Sequence, residues 1–338
     1  MRIGVDVMGG DNAPGAILDG AIASLDRLDP SEELVLFGDS SIINAGLTKA
    51  GVKPSRVEIV HTAEVIGMDD SPVEAVRAKP DASVVVMCKH AGRKADDPLD
   101  VVISAGSTGA QVTAAQMHMR RLPNVHRPGI AVAVPTFAGP VLLIDVGANI
   151  EPKSHHLAQY GVMGDVYSRS IFGVANPRIA LMNVGGEEQK GTAEMKEARD
   201  RLKAVDDLNF IGYVEGRAVF DGEADVVITD GVVGNVMIKL AEGLSAGIFK
   251  SLKREVMKTD PELATRLDPV VKAIYAKHDY HEYGGAPLLG VNGVCTICHG
   301  SSVARTITNA ILKSRQFVTS RVNEAISQRL GVMEQAVA

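Results

Sequence analysis

The sequence has few cysteines and lacks any long apolar stretch without charge. Three cysteines among 338 residues do not make a disulfide framework, so we expect a reducing cytosol. No run reaches the roughly 18 to 20 charge-free apolar residues that span a bilayer, so we expect any membrane contact to be peripheral. The first apolar run is broken by Asp6, which argues against a secretory signal. These absences together predict a cytoplasmic protein.

The sequence also lacks an excess of basic residues. Its 35 basic and 41 acidic side chains give a net charge of −6, which argues against a general polyanion-binding surface. We therefore expect no nucleic acid partner. A hydrophobic content of 46% can fill one large core or two modest ones. Because no low-complexity linker or break in composition appears, we predict one elaborated domain over residues 1–338, with a protruding helical region at about 255–280.

The segment CTICH, residues 295–299, matches the pattern of covalent haem attachment. That chemistry requires an exported chain. The same residues have the apolar character of a buried strand, where cysteine acts as a small hydrophobe. We favour the structural interpretation and expect no cofactor. The histidines, including the His155–His156 pair, show no metal-ligand spacing, so we expect no metal.

Strand and helix patterns alternate along the whole chain. Short β-rich apolar runs predict strands at residues 2–8, 34–38, 57–61, 101–105, 130–135, 141–146, 179–184, 210–214, 226–230 and 294–299. Helical spacing of apolar residues predicts helices after Pro14 and at residues 111–119, 157–171, 236–244 and 261–275. Strands that are apolar on both faces and separated by helices predict an α/β class, with a mainly parallel sheet between two helical layers.

The predicted loops after the strands are rich in glycine and small polar residues. They are DVMGGDNAP (6–14), SAGSTGA (104–110), DVGANIEPKS (145–154), NVGGEEQKG (183–191), TDGVVGN (229–235) and HGSS (299–302). Ligands of such sheets bind beyond the carboxyl ends of the strands, and backbone N–H groups at helix N-termini bind anions. None of these loops has the Walker or GxGxxG pattern, so we expect a small oxyanion rather than a nucleotide.

Two side chains in these loops are candidates for handling an anion. Lys190 lies in a loop flanked by glycines and could reach an oxyanion, although a solvated lysine is the alternative. Asn235 could donate its amide to an oxyanion or cap the helix predicted to start after it. The acids of the loops either orient donors or cap helices. Ser107 lacks the glycine two residues before it that a nucleophile elbow requires.

In order along nearly the whole chain, these loops and the segment YGGAPLLGVNG resemble the acyl-acyl carrier protein:phosphate acyltransferase (PlsX) family. The resemblance implies an enzyme of bacterial phospholipid synthesis that converts long-chain acyl-acyl carrier protein and inorganic phosphate into acyl phosphate and free carrier protein. It also implies a fold similar to isocitrate and isopropylmalate dehydrogenases, a homodimer and peripheral membrane association.

Residues and resemblance together predict the roles at the site. We expect Lys190 to hold phosphate and Asn235 to orient phosphate or polarise the thioester carbonyl. Asp6 and Asp11 would fix the loops and orient Lys190. The predicted substrate-binding residues are Asp6, Gly9, Gly10, Asp11, Ser104, Ser107, Thr108, Gly109, Asp145, Asn149, Glu187, Asp230 and His299.

The chain departs from the family pattern at three positions. Asn12 stands where the first loop of the family usually has histidine, Ser107 where the second has asparagine, and Gly186 where the fourth has threonine. These departures put a catalytic role of the three positions in doubt.

The predicted helix at residues 261–275 is amphipathic. Its apolar residues predict contact with a bilayer, and a dimer interface is the alternative; they are Leu263, Leu267, Val270, Val271 and Ile274. Because acyl carrier proteins are acidic, we expect a local basic patch. The candidates, which also fit a solvated helix face, are Lys250, Lys253, Arg254 and Lys258.

Three other functions fit parts of the sequence. A phosphotransacetylase acting on acyl-coenzyme A would share the anion site. A dehydrogenase of the isopropylmalate type would need an arginine-rich dicarboxylate site and metal-binding acids, whereas the loops offer few arginines. A non-catalytic lipid-surface binder leaves the polar loops unexplained.

Overall fold

The structure is a computed structural model that describes residues 1–52, 56–136, 138–277 and 284–337. The strands are β1 (Arg2–Asp6), β2 (Glu33–Gly38), β3 (Val57–His61), β4 (Val101–Ser104), β5 (Gly129–Thr136), β6 (Gly139–Ile144), β7 (Ile179–Met182), β8 (Phe210–Val214), β9 (Val226–Ile228), β10 (Ala286–Leu289) and β11 (Val294–Ile297).

The α-helices are α1 (Gly15–Ser24), α2 (Ser40–Lys49), α3 (Pro72–Ala78), α4 (Ser83–His90), α5 (Thr108–Ala114), α6 (Ser154–Tyr167), α7 (Ala193–Lys203), α8 (Ala218–Asp221), α9 (Gly231–Thr259), α10 (Pro261–Lys277), α11 (Ala304–Thr319) and α12 (Val322–Val337). Helices α5 and α6 each continue into a wider π-helical turn, at Ala115–Met119 and Ser168–Phe172.

The chain folds into two compact units. The first comprises Met1–Val132, Val162–Ala175 and His281–Ala338, and the second comprises Ala133–Gly161 and Asn176–Tyr280. Two compact units can still unfold as one cooperative domain, so the single domain expected from the sequence stays a prediction.

The first unit contains the strand order β3-β2-β1-β4-β11-β10-β5. Strand β1 pairs in parallel with both β2 and β4, and β11 pairs in parallel with β4. The chain therefore builds outward from β1 to β3 and then returns to the other side of β1. This change of direction creates a switch point between β1 and β4, where ligands of such sheets bind.

The second unit contains the strand order β6-β9-β7-β8, with every pair parallel. Because β9 lies between β6 and β7, the loops that follow these three strands leave the same edge of the sheet side by side. The sequence predicted functional residues in all three loops.

Burial explains why the strand runs were apolar on both faces. In β4, Val101, Val102 and Ile103 are 0% exposed, and the three residues of β9 are equally buried. Full burial of a side chain of this kind contributes about 1.5–3 kcal/mol. The predicted α/β class with a mainly parallel sheet is thus confirmed.

Some predicted elements differ from the observed ones. All ten predicted strands are present, but several end two residues early, since residues such as Val7 and Met8 already belong to the following loop. Strand β10 was not predicted, and it is antiparallel to both of its neighbours. The bounds predicted for the helix at residues 236–244 were wrong, because α9 runs from Gly231 to Thr259.

Helix α9 has the length and composition that would allow it to cross a membrane. It is 29 residues long, and 6% of its most apolar stretch of 18 residues is buried. Exposed apolar residues recur at every fourth position along it: Val232, Val236, Leu240, Leu244, Ile248 and Leu252.

Replacing Gly20 in α1 tests the packing of α1 on α11. A Cβ atom at residue 20 would lie 2.3 Å from the carbonyl oxygen of Ala304, so Gly20→Ala must push the two helices apart. We expect it to lower the free energy of unfolding by about 1–3 kcal/mol in urea denaturation. Gly15→Ala, in the same helix but with nothing within 4 Å of the added atom, is the control and should change stability little. Equal stability of the two variants would contradict this packing.

Candidate active site

A buried carboxylate joins two loops at the switch point of the first unit. Asp6, the last residue of β1, is 2% exposed and accepts hydrogen bonds from the Ser104 hydroxyl at 2.7 Å and the Met8 amide at 3.1 Å. Burial raises the pKa of the Asp6 carboxyl, and the hydrogen bonds it accepts oppose that shift. The Ser104 hydroxyl also accepts the Gly106 N–H at 3.0 Å. Ser104 therefore holds the loops after β1 and β4 together.

Glycine is required where these two loops meet. A Cβ atom at residue 9 would lie 2.6 Å from the Asp6 carboxylate and 2.9 Å from the Gly106 nitrogen. Gly10 adopts φ of +115°, a conformation that residues with a side chain rarely take. The Gly9–Gly10 pair thus lets bare backbone approach the end of β4.

The loop after β11 completes this edge of the first unit. The backbone N–H of Asp11 donates to the Gly300 carbonyl at 2.8 Å, and the side-chain amide of Asn12 donates to the Ser301 carbonyl at 3.0 Å. The Nδ1 atom of His299 accepts the Ser301 N–H at 3.2 Å. The structure therefore brings together three of the predicted loops. Asp11 does not cap a helix, since α1 begins after Pro14 without a side-chain cap.

The predicted residues after Ser104 begin helix α5. The Ser107 hydroxyl accepts the Ala110 N–H at 3.4 Å and caps the helix, while Thr108 is exposed. A Cβ atom at Gly109 would lie 2.6 Å from the Pro72 side chain, so this glycine permits α3 to pack against α5. Contacts of these residues with substrate stay predictions.

A second buried aspartate organises the second unit. Asp145 follows β6, is 0% exposed and accepts the backbone N–H groups of residues 147, 148 and 149 at 3.2, 3.0 and 2.6 Å. The Asn149 side chain donates to Asp145 at 3.1 Å and to the buried Tyr160 hydroxyl at 2.7 Å. The loop after β6 is therefore wrapped around one carboxylate.

The start of α9 packs against this loop. Asp230 caps α9 by accepting the Val232 and Val233 N–H groups at 2.9 and 2.8 Å. The expectation that Asn235 might cap the helix is wrong, because Asn235 lies inside the first turns of α9. A Cβ atom at Gly234 would lie 2.2 Å from the Asp145 carbonyl oxygen, so only glycine allows this approach.

This packing places the Asn235 amide beside the loop after β6. The Asn235 Nδ2 atom would lie 3.3 Å from a Cβ atom at Gly147, and the residue is exposed. The Asn235 side chain therefore lies next to the loop after β6 and is accessible from solvent.

Lys190 lies in the loop after β7 and pairs with Glu187. Their charged atoms are 2.9 Å apart, and both side chains are about half exposed, at 47% and 61%. The hydrogen bond from Lys190 lowers the pKa of the Glu187 carboxyl. Lys190 and Asn235 thus follow neighbouring strands of the second unit. The predicted support of Lys190 by Asp6 and Asp11 would link the two units and stays a prediction.

The structure adds Asn183, which was quoted in a motif but not proposed as a site residue. It is 7% exposed, its Oδ1 atom accepts the Val184 N–H at 2.9 Å, and its Nδ2 atom has no hydrogen-bond partner among the described residues. A buried amide donor without a partner is costly. Gly191, with φ of +92°, passes directly over this amide. The position of Asn183 directly after β7 is the one feature of the sequence that could have identified it as a site residue.

The cysteines take no part in this chemistry. Cys295 lies in β11, and burial raises the pKa values of Cys295 and Cys298 to about 12, so both thiols stay protonated. The buried-strand interpretation of this segment is confirmed. Within the described ranges, no group of three His, Cys, Asp or Glu side chains has the arrangement of a metal site.

Comparison with known proteins gives the family. A sequence model described as fatty acid synthesis protein matches residues 1–325. The chain is 44% identical to the phosphate acyltransferase of Desulfitobacterium hafniense and 43% identical to that of Bacillus licheniformis, in each case over 98% of both chains. The chain belongs to the fatty acid synthesis protein family. A phosphotransacetylase from Streptococcus pyogenes has a similar fold, with a TM-score of 0.63 at 18% identity over 94% of each chain.

The three departures have different structural settings in this member of the fatty acid synthesis protein family. Asn12 holds the loop after β11, and Ser107 caps α5. A Cβ atom at Gly186 would meet nothing within 4 Å, so the larger residue usual at this position would fit without a clash.

Removing the cap of α9 tests the link between Asp230 and the anion site. Asp230→Ala should lower the free energy of unfolding by about 1 kcal/mol and also weaken phosphate binding, because Asn235 and the loop after β6 depend on the start of α9. Asp39 caps α2 with an equivalent bond, so Asp39→Ala is the control. Calorimetric titration should show normal phosphate affinity for Asp39→Ala only. The same phosphate affinity in both variants would contradict the assignment.

Proposed function

We propose that the protein transfers a long-chain acyl group from acyl carrier protein to inorganic phosphate, producing acyl phosphate for phospholipid synthesis. The observation that carries the proposal is the match over 98% of the chain to enzymes named phosphate acyltransferase. Glycine-rich loops supported by Asp6 and Asp145 agree with it, because they present backbone and amide donors to an anion. Phosphate and the acylated carrier protein are the proposed substrates.

The reaction needs placement rather than an activated side chain. An oxygen of phosphate attacks the thioester carbon, a carbon–oxygen bond forms, the carbon–sulfur bond breaks, and the carrier thiolate leaves and takes a proton. The phosphate oxygen must lie about 3–3.5 Å from that carbon. Since phosphate is the nucleophile, the buried and protonated cysteines and the hydrogen-bonded Ser104 are consistent with the mechanism.

Three side chains of the second unit are suited to the charge that develops. Lys190 can exchange its exposed partner Glu187 for phosphate. Asn235 offers an exposed amide to the thioester oxygen, and removal of such a donor costs about 3–4 kcal/mol of transition-state stabilisation. The Asn183 amide, buried without a partner beneath Gly191, can fix the Lys190 loop when an oxyanion binds.

Acyl-coenzyme A is the alternative acyl donor. The similar fold of the Streptococcus pyogenes phosphotransacetylase fits this alternative equally well. Incubation with palmitoyl-acyl carrier protein or acetyl-coenzyme A, each with phosphate, separates the two donors. We expect acyl phosphate only from the acylated carrier protein.

We also propose that the fold is of the same type as the fold of the isocitrate and isopropylmalate dehydrogenases.

Lys190→Ala should reduce the phosphate-dependent release of carrier thiol by at least about a hundredfold, because the phosphate loses its cation. The control is Lys203→Ala, whose side chain pairs with Glu188 and is 49% exposed, against 47% for Lys190. Thiol release measured with a thiol reagent should be normal in the control, and circular dichroism should be unchanged in both. Normal turnover by Lys190→Ala would refute its role.

We further propose a homodimer that associates peripherally with the cytoplasmic face of the membrane through α9 and α10. In α10, Leu263 is 37% exposed and Val270 is 52% exposed, while Leu267 and Val271 are half-buried. Together with Ile274, they form the apolar face predicted from the sequence, and the basic residues at 250–258 of α9 are exposed. Those basic residues are the proposed contact for the acidic carrier protein.

Leu263→Glu combined with Val270→Glu should abolish flotation with anionic liposomes, since charged side chains oppose insertion of the apolar face. Val332→Glu, at a position of α12 that is 65% exposed, is the control and should float normally. Sedimentation of both variants identifies the oligomer. Normal flotation of the double variant together with loss of the dimer would show that this face serves dimerisation only.

A further inference from the structure

A polar cleft in the first unit contains three arginines and has no part in the proposed reaction. Its volume is about 700 Å³, and its polar lining consists of Gln116, Arg120, Arg121, Asn124, His126 and Arg127. Leu122 and Val125 complete the lining. In this described part of the chain, no carboxylate lines the cleft. A cleft of this size can hold a small molecule.

Within the first unit, the cleft lies at the opposite edge of the sheet from the loops after β1 and β4. Helix α5 starts at the carboxyl end of β4, and its π-helical continuation ends at Met119, directly before Arg120. The Arg120 carbonyl accepts the N–H of Asn292, which precedes the amino end of β11, at 3.0 Å. Since β4 and β11 are parallel, the cleft is at their amino ends, whereas Asp6 and Ser104 are at the carboxyl ends.

Among the described residues, no carboxylate forms an ion pair with a guanidinium group of the cleft. Arg120 and Arg127 form no ion pair with any residue in the described ranges, and Arg121 donates to the His126 carbonyl. Burial, together with the cations Lys89 and Arg120, lowers the pKa of the neighbouring His118. Arginine binds phosphate through two parallel hydrogen bonds, so three unneutralised arginines suit a ligand with several phosphate oxygens.

The backbone at Arg120 is strained. Arg120 has φ of 70° and ψ of 175°, a region that is essentially restricted to glycine. Hydrogen bonds fix it there, since its N–H donates to the Ala115 carbonyl at 3.1 Å and its carbonyl is held by Asn292. Asn124 on the same cleft also has a positive φ, of 64°. Glycine would relieve the strain at residue 120, so an arginine at this position carries a conformational cost.

We propose that this cleft binds a small molecule bearing two or more phosphate groups, through Arg120, Arg121 and Arg127. The inference goes beyond the proposed function, because the cleft is remote from the catalytic loops within the first unit. An acidic surface of the carrier protein is the competing occupant, and the experiment below distinguishes it.

The test uses inorganic pyrophosphate as the probe in calorimetric titration of the full chain. The Lys190→Ala background lowers the contribution of the candidate active site, because the cation proposed to hold phosphate is removed. In this background Arg127→Gln should weaken pyrophosphate binding about tenfold or more, because a charge-assisted pair is lost. Arg217→Gln is the control, since Arg217 is 84% exposed and lies outside the cleft, and it should bind normally.

Arg120→Gly separates a binding role from a structural one. If the arginine serves binding, the variant should lose pyrophosphate affinity by a similar factor while its thermal stability is retained or raised. Unchanged pyrophosphate binding in both Arg127→Gln and Arg120→Gly would overturn the proposal. So would a raised KM for acyl-acyl carrier protein with unchanged pyrophosphate binding, because the cleft would then be a carrier-protein contact.

Discussion

A carboxylate that is taken out of water must collect hydrogen-bond donors, and each unit of this protein meets that constraint at the end of a strand. Asp6 collects the hydroxyl of Ser104 and an amide of its own loop, whereas Asp145 collects three amides and the Asn149 side chain. Ionised carboxylates without such partners would be far too costly to bury. The loops therefore take the shapes that these two acids require.

The shapes of the loops in turn depend on glycine. Gly9 lets the loop after β1 lie against the end of β4, and Gly234 lets α9 start against the loop after β6. The result in each unit is a rigid edge with backbone and amide donors. Rigid donors are useful for acyl transfer to phosphate, because they need no reorganisation as charge develops on the thioester oxygen.

The fold class followed from residues whose burial leaves a clear pattern. Strands such as β4 and β9 are buried on both faces, so their sequences are uniformly apolar and predict a parallel sheet. Strand β10 was not predicted because it contains Pro287, a residue that disfavours strands, and directly follows the glycines of YGGAPLLG. The start of α9 was placed too late, since Asp230 and Gly231 looked like loop residues although they are a cap and a first turn.

The candidate site was predictable in its loops but not in its contacts. Glycine-rich segments after the strands placed the candidate residues at the carboxyl ends of the strands. Nothing local to Asn183 shows that its amide is buried without a partner among the described residues, since that depends on the path of Gly191. Similarly, the arginines at 120, 121 and 127 carry no motif. That the three arginines line the same cleft is visible only in the structure.

In the proposed reaction, the loops hold orthophosphate as the nucleophile that attacks the thioester carbon. This role of phosphate can be measured by incubating palmitoyl-acyl carrier protein with phosphate in which every oxygen is ¹⁸O and analysing the acyl phosphate by mass spectrometry. We expect a product that retains all four labelled oxygens, because the bridging oxygen comes from phosphate. A product with three labelled oxygens, in which the bridging oxygen comes from the acyl group, would contradict it.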